Sequence, residues 1–235
     1  AARPRDLKRQ AAVLTSRYVQ LIRGERKALW ISLALGPVIG LLVALVLSGK
    51  AGETGVELAR RQAQLSFITT ITAVFLGLFS AIREVVKELP IYRHERFLNL
   101  EVGPYLWSKA LPLAVLGALQ VAGLLVAVHL LADVRANFLA HFVTLSVLAF
   151  AATLLGLAIS CAVDSSDKAV MLMIVVIIPQ FLFSNAFIKL SGFGKALGMA
   201  AIVSYWGHSA VKSLMPDDLR DLTFAGVPAQ AAPPA

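Results

Sequence analysis

Charge is scarce in this sequence. Asp, Glu, Lys and Arg make up 15% of its 235 residues, against roughly a quarter in soluble domains, and that shortage excludes an ordinary soluble globular domain. Cysteine is nearly absent: Cys161 is the only thiol, so no intrachain disulfide forms and oxidation has no structural part. No G-x-x-x-x-G-K-[ST] phosphate-binding string occurs, and the nearest stretch, SGKAGETG, lacks the spacing. Metal-ligand pairs of the H-E-x-x-H kind are missing, as is a nucleophile turn. Acidic side chains are missing from the apolar runs, which argues against a proton- or sodium-driven carrier. The net charge of +8 does not point to nucleic acid, because the basic residues flank apolar runs and form no basic soluble domain.

What is present is oil. Hydrophobic residues make up 58% of the chain, in continuous runs long enough for bilayer spans of about 20 residues. The runs do not alternate, which disfavours a β-barrel. The expected fold is all-α, a polytopic membrane helical bundle. Spans are predicted at about 30–48, 65–82, 110–132, 138–163 and 169–188. Residues 191–211 are apolar but broken by glycines and His208, and read as re-entrant or interfacial helices. The first span carries Gly36, Pro37 and Gly40, a small-xxx-small spacing with a kink.

Residues 1–28 read as an amphipathic connecting helix along the membrane surface, with Leu7, Val13, Leu14, Tyr18, Leu21 and Ile22 at near-helical spacing among basic residues. An ordinary basic flank accounts for the composition equally well. Residues 29–215 form the membrane domain and 216–235 a Pro/Ala-rich, linker-like tail. With the N-terminus inside, fourteen Lys and Arg fall on the inner side and eight on the outer, which favours a cytoplasmic N-terminus. Five spans leave the tail outside, so a sixth span is expected beyond Ala235, and the ends read as cut from a longer chain.

The most informative segment is IREVVKELPIYRHERFLNLEVGPYLWSK, residues 82–109, where both charge signs, Pro, Tyr and Trp interrupt the oil. Pro90 disfavours an α conformation at Leu89, so the extension of span 2 is expected to stop there. Pro90 suits the first turn of a new short helix, PIYRHERFLNL. Ile91, Tyr92, Phe97 and Leu98 are its apolar anchors. Glu84 and Glu88 share a face, and Lys87 lies three residues from Glu84. A solvated charged loop is the plainer alternative.

The run from Phe75 to Leu111 resembles the second-to-third helix region of ABC-2 type permeases, nearest to the ABCG (White) subfamily and its bacterial relatives. The pattern E-x-x-x-E-x-x-I-(F/Y)-R-x-E-R reads here Glu84, Glu88, Ile91, Tyr92, Arg93, Glu95 and Arg96, followed by Tyr105, Ser108 and Lys109 at the start of span 3. A second stretch, with Pro179, Gln180, Ser184, Ser204, Trp206 and Ala210, resembles the family's fifth span and the segment after it. Asn185 stands where the family often has Gly. The N-terminal run LTSRYVQLIRGERKAL is similar to the family's connecting helix.

The resemblance implies the permease domain of an ATP-driven exporter, moving an amphipathic or lipid-like substrate by alternating access. It implies that Arg83, Glu84, Lys87, Glu88, Tyr92, Arg93, Glu95 and Arg96 couple the membrane domain to an ATPase. It implies a substrate path lined by Thr69, Thr72, Phe75, Phe79, Gln180, Ser184 and Asn185, although helix–helix hydrogen bonding explains such polar groups equally well. No cofactor or metal is expected in these residues; ATP and Mg belong to a partner ABC ATPase domain, N-terminal in the same polypeptide. A second copy of the permease (a homodimer) and membrane lipids are the other partners, in a cell membrane. His129 and His141 are expected near the outer ends of spans 3 and 4, reaching the headgroups. Two alternatives remain: an intramembrane hydrolase using His208, Ser209 and Asp217, or Ser160 with His141, and a non-transporting anchor or scaffold.

Overall fold

The computed structural model describes residues 7–48, 55–89, 101–183 and 202–216, and within them the chain is all α. Its helices are α1 (Leu7–Gly24), α2 (Arg26–Val46), α3 (Gly55–Ala81), α4 (Val102–Leu131), α5 (Phe138–Ala162), α6 (Ser166–Leu182) and α7 (Val203–Ser213), with a 3-10 turn at Val86–Glu88. α2 to α5 are each long and apolar enough to cross a bilayer. They are the first four expected spans, and α6 is the described part of the fifth. α7 has 11 residues, about 16 Å of helix at 1.5 Å per residue, which is too short to cross. The remainder of the expected re-entrant stretch lies outside the described residues, as does the tail from 217 onward.

α3 is the central helix. In the α3 segment 72% of the most apolar stretch is buried, against 17% in α2, so α2 is peripheral and turns Trp30, Ile31, Leu42, Leu45 and Val46 outward. The main core gathers Val74, Leu78 and Ile82 of the α3 segment with Val121 and Leu125 of α4, Leu145 and Leu148 of α5, Met173 of α6 and Val211 of α7. Lipid tails are as apolar as these side chains, so close packing rather than transfer from water has to hold the helices together. The small residues supply it. A Cβ at Gly36 would lie 2.1 Å from the Gln120 carbonyl oxygen, and one at Gly40 2.6 Å from that of Leu124, so the expected small-xxx-small face of α2 seats the backbone of α4. Gly77 does the same for α3 on α5, where a Cβ would stand 2.2 Å from the Ala149 carbonyl oxygen.

Polar groups fix the register of these contacts. Gln120, fully buried in α4, donates through Nε2 to the Ser32 carbonyl and hydroxyl of α2, each at 2.8 Å. Its Oε1 lies 3.4 Å from the Ser80 hydroxyl of α3. One side chain thus joins three helices.

α3 starts ten residues before the predicted span. Arg61 and Gln62 read as loop in the sequence, yet both are buried. The Arg61 guanidinium donates to the Ala132 carbonyl at 2.6 Å and reaches the Leu47 carbonyl at 3.5 Å. Gln62 Nε2 donates to the Asp133 carbonyl at 2.8 Å. Helix C-termini leave carbonyls unpaired and carry partial negative charge, so a cation placed across the ends of α4 and α2 satisfies both. Asp133 turns the chain with φ 47°, and the Asn137 side chain then caps α5 by accepting from Leu139 N and Ala140 N.

α1 is the helix expected at the N-terminus. Leu14, Tyr18 and Ile22, one turn apart, pack against the start of α4 and the end of α3. Val13 and Leu21, two other apolar positions of that pattern, stay exposed.

Candidate functional site

The site is assembled where α1, the end of α3 and the start of α4 meet. Past Ala81 the chain continues as a turn and then the 3-10 turn, leaving backbone donors without helical partners. α5 supplies the acceptor: the buried Ser160 hydroxyl accepts from Val85 N at 3.1 Å and Val86 N at 3.0 Å. This fixes the strand of chain that presents Glu84 and Glu88. Leu89 keeps an α conformation, φ −52° and ψ −41°, against the expectation from the following proline. Its N–H follows the turn, closing on the Val86 carbonyl, and this local bond outweighs the steric bias.

Two carboxylates organise the site. Glu84 accepts from the Tyr18 hydroxyl of α1 through Oε2 and pairs with Lys87 through Oε1 at 2.7 Å. Glu88 Oε2 lies 2.7 Å from Lys109 Nζ and 3.4 Å from the Tyr105 hydroxyl, both on α4. Lys109 is 1% exposed. Its ammonium sits 4.4 Å from the centre of the Tyr18 ring and 5.4 Å from that of Tyr105. A buried ammonium is tolerated only with a carboxylate and further partners, and aromatic faces add to the carboxylate. Burial, with Glu84 beside it, pushes the Tyr18 phenol well above its ordinary titration range, so Tyr18 stays a neutral donor. Each of the three elements therefore holds a charge or donor that another one needs, and displacement of one pulls on the others.

Of the residues expected to couple, Glu84, Lys87 and Glu88 meet in this cluster, while Arg83 is exposed beside it. Tyr92, Arg93, Glu95 and Arg96 lie outside the described residues, as does the short helix expected at 90–100. Of the expected path residues, Thr69 is fully buried and donates to the Leu65 carbonyl of its own helix at 2.8 Å. Thr72 is also buried. Phe75 and Phe79 stack on one another, 5.7 Å between centres, and Phe79 remains open at the surface. Gln180 is buried and bound to α7: its Oε1 accepts from Ser204 N at 2.9 Å, and the Ser204 hydroxyl donates to its carbonyl. Phe67 of α3 meets Phe181 of α6 edge-on at 5.3 Å, so α3 and α6 are neighbours. Ser184 and Asn185 lie outside the described residues.

The Ser160–His141 constellation does not assemble. Ser160 and His141 sit 19 residues apart on α5, about 28 Å at the helical rise, and the Ser160 hydroxyl is committed to the α3 segment. The Ser209 hydroxyl donates to the Tyr205 carbonyl at 2.8 Å, and Asp217 lies outside the described residues. No group of three or more His, Cys, Asp or Glu side chains suited to a metal occurs among the described residues. His141 is buried within the protein, its ring packed against that of His129.

Sequence reasoning did not single out Gln120 or Arg61, took Tyr18 only as an apolar position of the N-terminal helix, and considered Ser160 only as a hydrolase candidate. For Tyr18 part of the signal was available, since it lies on the apolar face of an amphipathic helix. For the other three it was not, because their partners are 14 to 88 residues away in sequence, on other elements.

Comparison with known proteins agrees with this architecture. A family model described as ABC-2 type transporter matches residues 9–213. The chain is 27% identical over 199 residues to the ABC transporter ATP-binding/permease protein Rv1747 of Mycobacterium tuberculosis (strain ATCC 25618 / H37Rv), an alignment covering 80% of this chain and 23% of that protein. The chain thus spans less than a quarter of that relative's length.

Proposed function

The chain belongs to the ABC-2 type transporter family, and on that premise we propose that it transmits ATP-driven motion through the α1–α3–α4 junction to a path for an amphipathic or lipid-like substrate. It is a multi-pass membrane permease domain of an ABC transporter. In the proposed reading the N-terminus is cytoplasmic, the membrane is the cell membrane and transport is outward. An ABC ATPase domain, N-terminal in the same polypeptide, binds ATP and Mg. A second copy of the permease completes the pathway, and the two copies alternate between inward and outward openings.

The observation that carries this reading is the Glu88–Lys109 pair at 2.7 Å with Tyr18 stacked over the ammonium. It joins the connecting helix, the segment leading to residues 90–100, and a spanning helix in one charged contact. Arg83, Glu84 and Lys87 beside the pair, with Tyr92, Arg93, Glu95 and Arg96 beyond it, form the proposed ATPase-facing surface. Thr69, Thr72, Phe75, Phe79, Gln180, Ser184 and Asn185 remain the proposed path, with the open Phe75–Phe79 stack its best-supported part.

The test uses the full-length protein in proteoliposomes, with Cys161→Ser and Phe79→Cys for labelling. ATP is expected to change the reactivity of the introduced thiol. Glu88→Ala or Arg93→Ala is expected to abolish that change while ATP hydrolysis continues. An unaltered ATP response in both variants overturns the coupling role. No ATP response in the parent itself favours a non-transporting anchor.

A further inference from the structure

At the end of the bundle opposite Lys109, two histidines face one another across the α4–α5 turn. His129 is in the last turn of α4 and His141 in the first turn of α5. Their ring centres are 5.5 Å apart, with the planes tilted by 59°. His129 Nδ1 lies 3.0 Å from the Leu125 carbonyl. A carbonyl only accepts, so Nδ1 carries the proton and Nε2 presents its lone pair. That Nε2 and both ring nitrogens of His141 are buried, with no hydrogen-bond partner among the described residues. Buried ring nitrogens left unpaired are costly, and here three occur on two adjacent rings. Phe138 closes one side, edge-on to His129 at 5.2 Å.

We propose that His129 and His141 together bind one borderline divalent transition-metal ion, represented by Zn2+, which ties α4 to α5 across their turn. A histidine oriented by a carbonyl at one nitrogen, with the other nitrogen free, is the arrangement that metal-ligating histidines adopt. Zinc binds an imidazole nitrogen at about 2.0–2.1 Å, which sets the centres of two rings sharing one ion roughly 5–6 Å apart. The observed separation falls in that interval. Imidazole pairs favour Zn2+, Cu2+ and Ni2+ over Mg2+ and Ca2+. No third His, Cys, Asp or Glu joins the pair among the described residues, so the other coordination positions belong to water, and binding is weaker than in a closed four-ligand site. The turn between the helices is already held by Arg61 and Gln62 on its carbonyls, so the pair is presented with little reorganisation.

The test is a Zn2+ titration of the full-length protein, without a polyhistidine tag and stripped by chelator, against a fluorescent zinc indicator. One Zn2+ per chain is expected to be lost, or weakened tenfold or more, in His129→Ala and in His141→Ala, and to persist in His208→Ala, which removes a buried histidine elsewhere. Mg2+ is expected not to compete. Zinc is also expected to protect both rings of the unmutated protein from carbethoxylation, read by peptide mass spectrometry, and this measurement stands even if the variants fail to fold. Absence of stoichiometric Zn2+ uptake, uptake unchanged in either well-folded variant, or rings modified equally with and without Zn2+ overturns the proposal.

Discussion

Replacing Glu88 by Gln removes the carboxylate that faces Lys109 at 2.7 Å and leaves an ammonium that is 1% exposed beside two tyrosine rings. Breaking a fully buried pair from one side costs about 3–5 kcal/mol. The Glu88 side chain is 24% exposed, and the aromatic faces remain, so the expected loss is nearer to about 2 kcal/mol. On the scale for domains of this size that lowers Tm by about 4–8 °C. Lys109→Met removes the charge that required compensation and leaves Glu88 partly in water with the Tyr105 hydroxyl near, so it costs less. The double variant contains neither charge and is expected to recover stability relative to Glu88→Gln alone, with a coupling of about 1–2 kcal/mol. The assay is thermal unfolding of the detergent-solubilised protein, followed by loss of the monodisperse peak in size-exclusion chromatography at one heating rate, since such unfolding is irreversible. Additive single effects, with a double variant as weak as their sum, refute the claim that these two residues act on one another.

Ser160→Ala strips the acceptor from Val85 N and Val86 N; about 1–3 kcal/mol of local stability is lost, and hydrogen exchange at those two amides is expected to quicken while exchange in the middle of α5 stays unchanged. Gly36→Ala places a methyl 2.1 Å from the Gln120 carbonyl oxygen, forcing α2 away from α4 at a cost of about 1–3 kcal/mol, readable as a lower Tm; Gly24→Ala, with nothing within 4 Å, serves as the neutral control. The Tyr18 phenol titrates higher in the folded protein than in the unfolded chain. Its contribution is therefore fully present below the unfolded value of about 10 and declines as pH rises above it. Tyr18→Phe is expected to flatten that alkaline decline, measured as Tm against pH from 8 to about 11.

The first four spans were legible because they rest on long apolar runs, a property carried by single residues and their neighbours. The register of the small-residue contacts was also legible at Gly36 and Gly40. The start of α3 was not: Arg60-Arg61-Gln62 has the composition of a loop, and only the carbonyls at the ends of α2 and α4, supplied by distant sequence, make it helical interior. Leu89 shows the limit from the other side, since a sound local bias from Pro90 yields to one hydrogen bond within the turn. In the site, Glu84, Lys87 and Glu88 were visible as a charged face, and the Glu84–Lys87 spacing produces the pair it suggests. The partners that give that face its use, Tyr18 and Lys109, come from two other helices, and no spacing rule connects positions 18, 88 and 109.

Gln120 sits about 16 Å along α4 from Lys109 and about 14 Å from His129 at the helical rise, near the middle of that helix. Its bonds to Ser32 resist axial sliding of α4 past α2, while tilting about that point stretches them little. α4 is thus pinned like a balance beam. A push delivered at the Lys109 arm is therefore expected to tilt the helix about Gln120, against the hold that Arg61 keeps on the Ala132 carbonyl at the other arm, so that the two ends move in opposite senses. Paired spin labels near the two ends of α4 report that relation directly, as distances to α2 that change with opposite sign.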